Sequence, residues 1–362
     1  MSMLPGFSVI MPCFNVERYV EASLKSVFQF NYEGTVEIII VDDGSTDNTW
    51  EVIQRIVEEE KARRNIRAVR HDVNKGVSAA TDTACSLAKN EWLVKADSDD
   101  IQDAERLSVY ANLIRKYPQV CAIALDCQRV TEGGELGEYI PFAVNTNGGS
   151  ECLLESPYQR YAGRMEIGDA PGFLNFGCAV AFKRDLYLKW GNLVEVEIPA
   201  ERFADDTVWA VRYMLSGPVA GANALACLYL SRTVGNLEFR AEGMLYRDVI
   251  RGELNSGRAA KAQAEAYRRG ALCCLRAIEE PGLSDWPHEY IHQLAHRCKQ
   301  YELFFRTKAD WWTWSYFRRL IWYVRNKNEL LPPHRKWFSR RFLPLPVTAL
   351  LRCMVLKMRS IK

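Results

Sequence analysis

Short apolar runs alternate with amphipathic stretches through the first third of the chain. Residues 7–12 (FSVIMP) are an apolar run stopped by a proline and predict a strand. Residues 15–30 follow as a helix, with Val20, Leu24, Val27 and Phe28 on one face. Ile38, Ile39, Ile40 and Val41 are consecutive, which fits a central parallel strand covered on both faces. That run ends in Asp-Asp-Gly-Ser, a turn signal. The next helix carries Trp50, Val52, Ile53, Ile56 and Val57, with Thr46 or Asp47 as its expected cap. Residues 66–71 predict a third strand, and 71–90 a loop, a glycine and a helix. Residues 91–100 (EWLVKADSDD) read as a fourth strand ending in carboxylates, before a helix over about 103–116 and a strand over 120–126.

This alternation predicts α/β layering around a mostly parallel sheet. In such sheets ligands bind beyond the carboxyl ends of the strands. Asp42 and Asp43 sit at one such end, and Asp97, Asp99 and Asp100 at another. Residues 131–170 are rich in Gly, Glu and Asn and are expected to run over the site. Residues 175–191 predict a strand and a short helix. Residues 201–217 predict an apolar helix with Asp205 or Asp206 near its N-terminus, where negative charge is favoured. A late strand fits 222–232. Helices fit 241–280, up to a break at Pro281–Gly282, and 287–306. The organisation expected is an α/β domain over 1–240, a helical region over 241–305 and a distinct segment over 306–362.

Composition sharpens the last boundary. The chain has 362 residues and a net charge of +2. Residues 306–362 carry 14 Lys or Arg against 2 Asp or Glu, and the rest carries 33 against 43. The basic segment also holds Trp311, Trp312, Trp314, Trp322 and Trp337. Aromatic rings interleaved with cations suit an anionic membrane surface, and the apolar run 342–351 is too short to span one. The alternative is a packing unit whose aromatics bury against the body. An acidic body makes nucleic acid a poor partner. No run of 18 apolar residues predicts a membrane span, and the first residues lack the basic start of a signal peptide. The 11 cysteines are scattered without a CxxC pair, as expected of reduced, buried thiols in a cytoplasmic protein.

Paired carboxylates at strand ends suit a hard divalent cation, which takes oxygen ligands. If DSDD is extended, Asp97 and Asp99 point the same way. Acidic surface turns and helix caps are the ordinary alternatives for each cluster. Lys75, in NKG, is placed either near a nucleotide or in solvent. His288, His292 and His296 recur at four-residue spacing and are expected to form an exposed helix stripe rather than a zinc site.

The segments VIMPCFN, VDDGSTDNT, NKGVSAATDTA and DSDD occur in this order between residues 7 and 100. Together they resemble the inverting GT-A glycosyltransferases of family 2, of the bacterial surface-polysaccharide type. NFGCAVAFKRD and FADDTVWAVR extend the likeness more loosely, to about residue 235. The resemblance implies a GT-A fold: a Rossmann-like sheet flanked by helices, here with a helical C-terminal extension. It implies transfer from a nucleotide-sugar, with UDP the leading base, to a glycan or lipid-linked acceptor. It implies Mn2+ or Mg2+ as cofactor through a DXD motif. By this likeness Asp99 is the metal ligand, Asp97 touches the ribose or the metal, and Asp100 supports them. Asp42 or Asp43 contacts the base, with Pro12 and the 13–17 loop as one wall. Asp206 is the general base and Asp205 assists it, although this chain has Asp where the family usually has Glu. Arg232, in YLSR, is placed on the diphosphate. With the basic aromatic segment as an anchor, the place expected is peripheral, at the inner face of the cell membrane. A catalytically silent relative within a polysaccharide assembly complex is the rival reading.

Overall fold

The computed structural model describes residues 4–140, 150–156, 159–160, 177–192, 205–231, 246–339 and 341. Arg232, Cys353, most of the 131–170 excursion and the run 342–351 lie outside the described residues, as does the side chain of Asp205.

Four parallel strands build the N-terminal half of the sheet: β1 (Phe7–Cys13), β2 (Val36–Asp42), β3 (Asn65–Arg70) and β4 (Trp92–Lys95). Helices α1 (Val20–Val27), α2 (Thr49–Glu60) and α3 (Val77–Leu87) connect them. Beyond β4 the sheet is mixed. β5 (Ile101–Gln102) and α4 (Arg106–Lys116) precede β6 (Ala122–Thr131), with β7 (Leu136–Ile140) and β8 (Glu151–Leu154) as short partners. β9 (Val180–Lys183) runs antiparallel between β4 and β6. β10 (Val219–Ser231) lies parallel to β6. The spatial order is β3-β2-β1-β4-β9-β6-β10-β5.

The run Ile38–Val41 is covered on both faces as its sequence predicts. Ile38 and Ile40 join one apolar cluster with Val20, Leu24, Ile53 and Tyr110. Ile39 and Val41 join the other with Ala80, Ala84 and Phe182. The second cluster continues through α5 (Arg184–Trp190), α6 (Asp205–Ser216), α7 (Tyr246–Glu279) and α8 (His288–Asp310). The helical region therefore shares one core with the sheet. Gly270 of α7 lets the backbones close up there, because a Cβ would lie 3.3 Å from Val211 Cγ2 and 3.4 Å from Cys298 Sγ. The ten described cysteines are free thiols, all buried except half-buried Cys152.

Three local expectations are corrected. The helix expected over 15–30 begins only at Val20. Side chains at the end of β2 capture the backbone before it: Ser45 Oγ, Thr49 Oγ1 and Asp47 Oδ2 accept the N–H groups of Asn15, Val16 and Glu17 at 3.0, 2.8 and 3.2 Å. Asn48, rather than Thr46 or Asp47, holds the N-cap position of α2. Asp47 instead accepts the Thr49 N–H one position out, at 3.0 Å. DSDD is not extended: it turns, with the Asp100 N–H donating to the Asp97 carbonyl at 3.2 Å.

The basic aromatic segment folds, through residue 341, into a small unit. α9 (Tyr316–Asn326) and α10 (Pro332–Ser339) close over Trp311 and Phe338, both fully buried, together with Phe304 and Leu330. His334 stacks on Phe304 with ring centroids 3.9 Å apart and meets Tyr301 edge-on. Burial, helped by the nearby cations Arg297 and Lys308, pushes its imidazole pKa down to about 4. Between about pH 6.5 and 4 the unfolded chain binds a proton that the folded chain does not, so stability falls as pH drops through that window. From pH 7 to 5 the loss from this group reaches at most about 2 kcal/mol. Thermal unfolding should therefore show His334→Phe losing less stability than wild type on acidification; parallel losses would refute this account.

Candidate active site

The carboxyl ends of β1, β2 and β4 lie side by side, since Cys13 pairs in register with Asp42 and Ile10 with Lys95. That edge gathers both acidic turns. Asp42 is fully buried; its Oδ2 meets Arg70 Nε at 2.9 Å and its Oδ1 accepts from Ser45 Oγ. Asp43 works as an internal clamp. Its carboxylate accepts the backbone N–H groups of Lys75 at 3.0 Å and Gly76 at 2.7 Å, and meets His71 Nδ1 at 2.7 Å. His71 Nε2 in turn faces Thr83 Oγ1 at 2.9 Å. The 71–76 loop is thus hung on one side chain. Gly44 makes this approach possible: its φ is 67°, and a Cβ would lie 2.7 Å from the Val73 carbonyl carbon. Lys75 itself is exposed, and Pro12 is buried within β1.

The second turn carries the stronger charge. Asp97 and Asp99 are partly exposed, whereas Asp100 is fully buried and accepts the Leu230 N–H at 2.9 Å. Oxygens of Asp97 and Asp100 and the sulfur of Cys178 lie within 4.8 Å of one another. Asp99, two residues on in the same turn, is not one of that trio. Burial, then the charges of Asp97 and Asp99, hold the Asp100 carboxyl well above the ordinary carboxylate range. Burial first, and then the same aspartates with Asp100, push the Tyr229 phenol up to about 12. The Cys13 thiol is raised too, by burial and by Asp42, Asp99 and Asp97, although a Ser98 hydrogen bond opposes this. Clustered carboxylates of this kind, two of them partly open, fit a divalent cation on the donor set alone.

Lys95 was missed by the sequence reading. Its ammonium lies at the end of β4 with 6% of the side chain exposed, 3.1 Å from Asp206 Oδ1 and 3.7 Å from Asp97 Oδ1. It ties the acidic turn to the first turn of α6. The signal was present as a lone lysine inside the buried run WLVKA, because a buried ammonium needs carboxylate partners. Asp205 opens α6 beside Asp206. The histidines at 288, 292 and 296 line the exposed face of α8, and the metal-capable groupings among the described residues include none of them. A second such grouping, Cys127, Cys178 and Cys227, is wholly buried behind the turn.

Comparison with known proteins identifies the class. The family model described as glycosyl transferase family 2 matches residues 8–189, half of the chain, and the protein belongs to that family. Glycosyltransferase GlyG of Streptococcus pneumoniae is 37% identical over 95 residues, which cover 26% of this chain and 30% of that protein. The Escherichia coli UDP-Glc:alpha-D-GlcNAc-diphosphoundecaprenol beta-1,3-glucosyltransferase WfaP is 31% identical over 101 residues, 28% of this chain and 38% of WfaP. These matches span well under two thirds of the relatives' own lengths. In fold, the chain resembles residues 1–349 of S. aureus TarS, solved in complex with UDP. The TM-score is 0.60 at 15% identity, over 99% of this chain and 92% of TarS 1–349. The fold is thus of the GT-A type, with a mainly helical C-terminal region.

The clamp yields a test. Asp43→Asn keeps one acceptor oxygen but turns an NH2 group towards the other of the Lys75 and Gly76 N–H groups or towards His71, at a cost of about 1–3 kcal/mol. Urea unfolding of the variant should show that loss together with faster amide exchange confined to residues 71–76. Wild-type stability and exchange would show that the loop does not hang on Asp43.

Proposed function

We propose that the protein is an inverting, metal-dependent glycosyltransferase that moves a sugar from a UDP-sugar to a hydroxyl of a glycan or lipid-linked acceptor. One observation carries this reading in a family 2 chain: the acidic turn at Asp97–Asp100 and the helix-borne Asp206 face each other across the Lys95 ammonium, at the carboxyl edge of the sheet. A donor held by one and an acceptor deprotonated by the other would meet there.

Asp99 and Asp97 would hold Mn2+ or Mg2+, with Asp100 behind them. When bound, the cation neutralises charge on the departing diphosphate. Asp42 or Asp43 and the wall formed by Pro12 and residues 13–17 take the nucleoside. Here Asp43 acts through the 71–76 loop that it pins, so Lys75 is presented by a backbone the clamp has already ordered. Asp206 accepts the acceptor hydroxyl proton as its oxygen attacks the anomeric carbon from the face opposite the diphosphate. Lys95 orients Asp206, and Asp205 and Arg232 complete the acceptor and diphosphate sides. The donor base follows the printed activity of WfaP, which uses UDP-Glc with a diphosphoundecaprenol-linked acceptor. An acceptor of that kind would bring the protein to a membrane surface from the cytoplasmic side. Among the described residues no helix is long and apolar enough to cross a membrane.

Release of nucleotide from UDP-, GDP-, dTDP- and CMP-sugars, with Mn2+ and then EDTA, tests the reading. One donor, UDP-linked, should be hydrolysed slowly with metal and not with EDTA, and Asp99→Ala should abolish this. Once an acceptor is found, Asp206→Asn should lower kcat by about 10²–10⁴-fold with donor KM little changed. Failure of every donor to bind, measured by calorimetry, would sink the proposal in favour of a silent relative.

A further inference from the structure

The small C-terminal unit buries one side of α9 and leaves the other bare. Inward, Trp322 packs on Phe338 and Trp311 at 5.1 and 6.1 Å between ring centroids, and Arg319 is buried over the rings of Trp311 and Trp312. Outward, Leu320, Ile321 and Val324 are 37%, 52% and 58% exposed, and Phe317 is 72% exposed. Their spacing of three, four and seven residues puts them on one stripe of the helix. Large apolar side chains exposed together in this way are uncommon on a surface that meets only water.

What rims the stripe decides its occupant. Arg318, Arg325 and Lys327 are exposed beside it, and α9 contains no acidic residue. From 311 to 362 the chain carries 12 Lys or Arg and a single acid, Glu329. Arg318 also stacks on Trp314, 4.5 Å from the ring centroid, which leaves a half-buried indole at the edge of the stripe. A second copy of the chain would bring these cations against one another. A nucleic acid would have no use for an aliphatic stripe. An anionic lipid surface satisfies both parts: aliphatic side chains enter the acyl boundary, and guanidinium, ammonium and indole groups sit among the phosphates.

We propose that the Phe317–Leu320–Ile321–Val324 face of α9 is a docking face for an anionic lipid bilayer, on which the enzyme lies without spanning it. This deepens, and rests on, the reading of an acceptor presented at a membrane. It divides the basic segment into an inward aromatic core and one membrane-facing stripe.

The test is co-sedimentation of the full chain with phosphatidylglycerol-containing vesicles and with phosphatidylcholine vesicles. Wild type should bind the anionic vesicles at least about tenfold more tightly than the neutral ones, and lose that preference at about 0.5 M salt. The double variant Ile321→Asp, Val324→Asp should bind at least about tenfold more weakly, with helical content and thermal unfolding unchanged. Should the variant fail to fold, Arg318→Gln, Arg325→Gln gives a second reading and should weaken anionic binding alone. Four results overturn the proposal. The first is a wild type that binds neither vesicle. The second is face variants that bind as wild type does. The third is a chain ending at Arg341 that fails to bind although the face is intact, which makes residues 342–362 the anchor. The fourth is a wild-type oligomer, seen by light scattering, that the variant loses without any vesicle binding, which makes the face a self-contact. Asp99→Ala should bind vesicles like wild type, so the lipid result stands apart from the fate of the catalytic reading.

Discussion

The ammonium of Lys95 is the hinge pin of this architecture. Taking a charge that far from water costs several kcal/mol, and only close opposite charge offsets it. Asp206 and Asp97 supply that charge from two different parts of the chain. The contact sets the first turn of α6 against the end of β4, and α6 in turn packs on α7, where Gly270 allows close approach to Val211. The helical region is thereby coupled to the acidic turn through the Lys95 bridge and an apolar seam. Replacing Lys95 by a neutral residue would leave two carboxylates facing each other across the gap.

Much of this was legible beforehand, and what was not has a physical reason. The run of four β-branched residues at 38–41 could only be a strand buried on both sides, and the alternation around it fixed the layering. The acidic strand ends were equally plain. Boundaries failed where distant side chains take up backbone N–H groups. A helix from residue 15 is broken at Asn15, whose φ is 52°, and the N–H groups of Asn15, Val16 and Glu17, which have no acceptors within a helix starting there, go to Ser45, Thr49 and Asp47. Period-two reasoning failed at DSDD because Asp97 and Asp100 close a turn. Asp42 or Asp43 was expected to face the base, and the oxygens of Asp43 also hold the neighbouring loop. That role depends on a contact more than thirty residues away, which no local pattern reveals.

The C-terminal segment shows a different limit. Trp and Arg in alternation describe headgroup contact and cation–π packing equally well. Arg319 over Trp311 and Arg341 over Trp337 belong to the second kind, while Arg318 over Trp314 lies at the border. Composition gave a single label to a unit that is half core and half surface, and only the burial of Trp311 and Phe338 separates the two.

The closing of the acidic turn also has a history in time. Asp100 leans on the amide of Leu230, 130 residues later, and the Asp103 N–H donates to the Ala226 carbonyl on the same strand. During synthesis β1 to β4 leave the ribosome roughly ten seconds before β10 can reach them. For that interval the turn has no partner strand, and Asp100 must stay hydrated and charged. The turn is thus buttressed by a distant strand, and the Asp100 side chain has no Leu230 amide to accept from until β10 has been made.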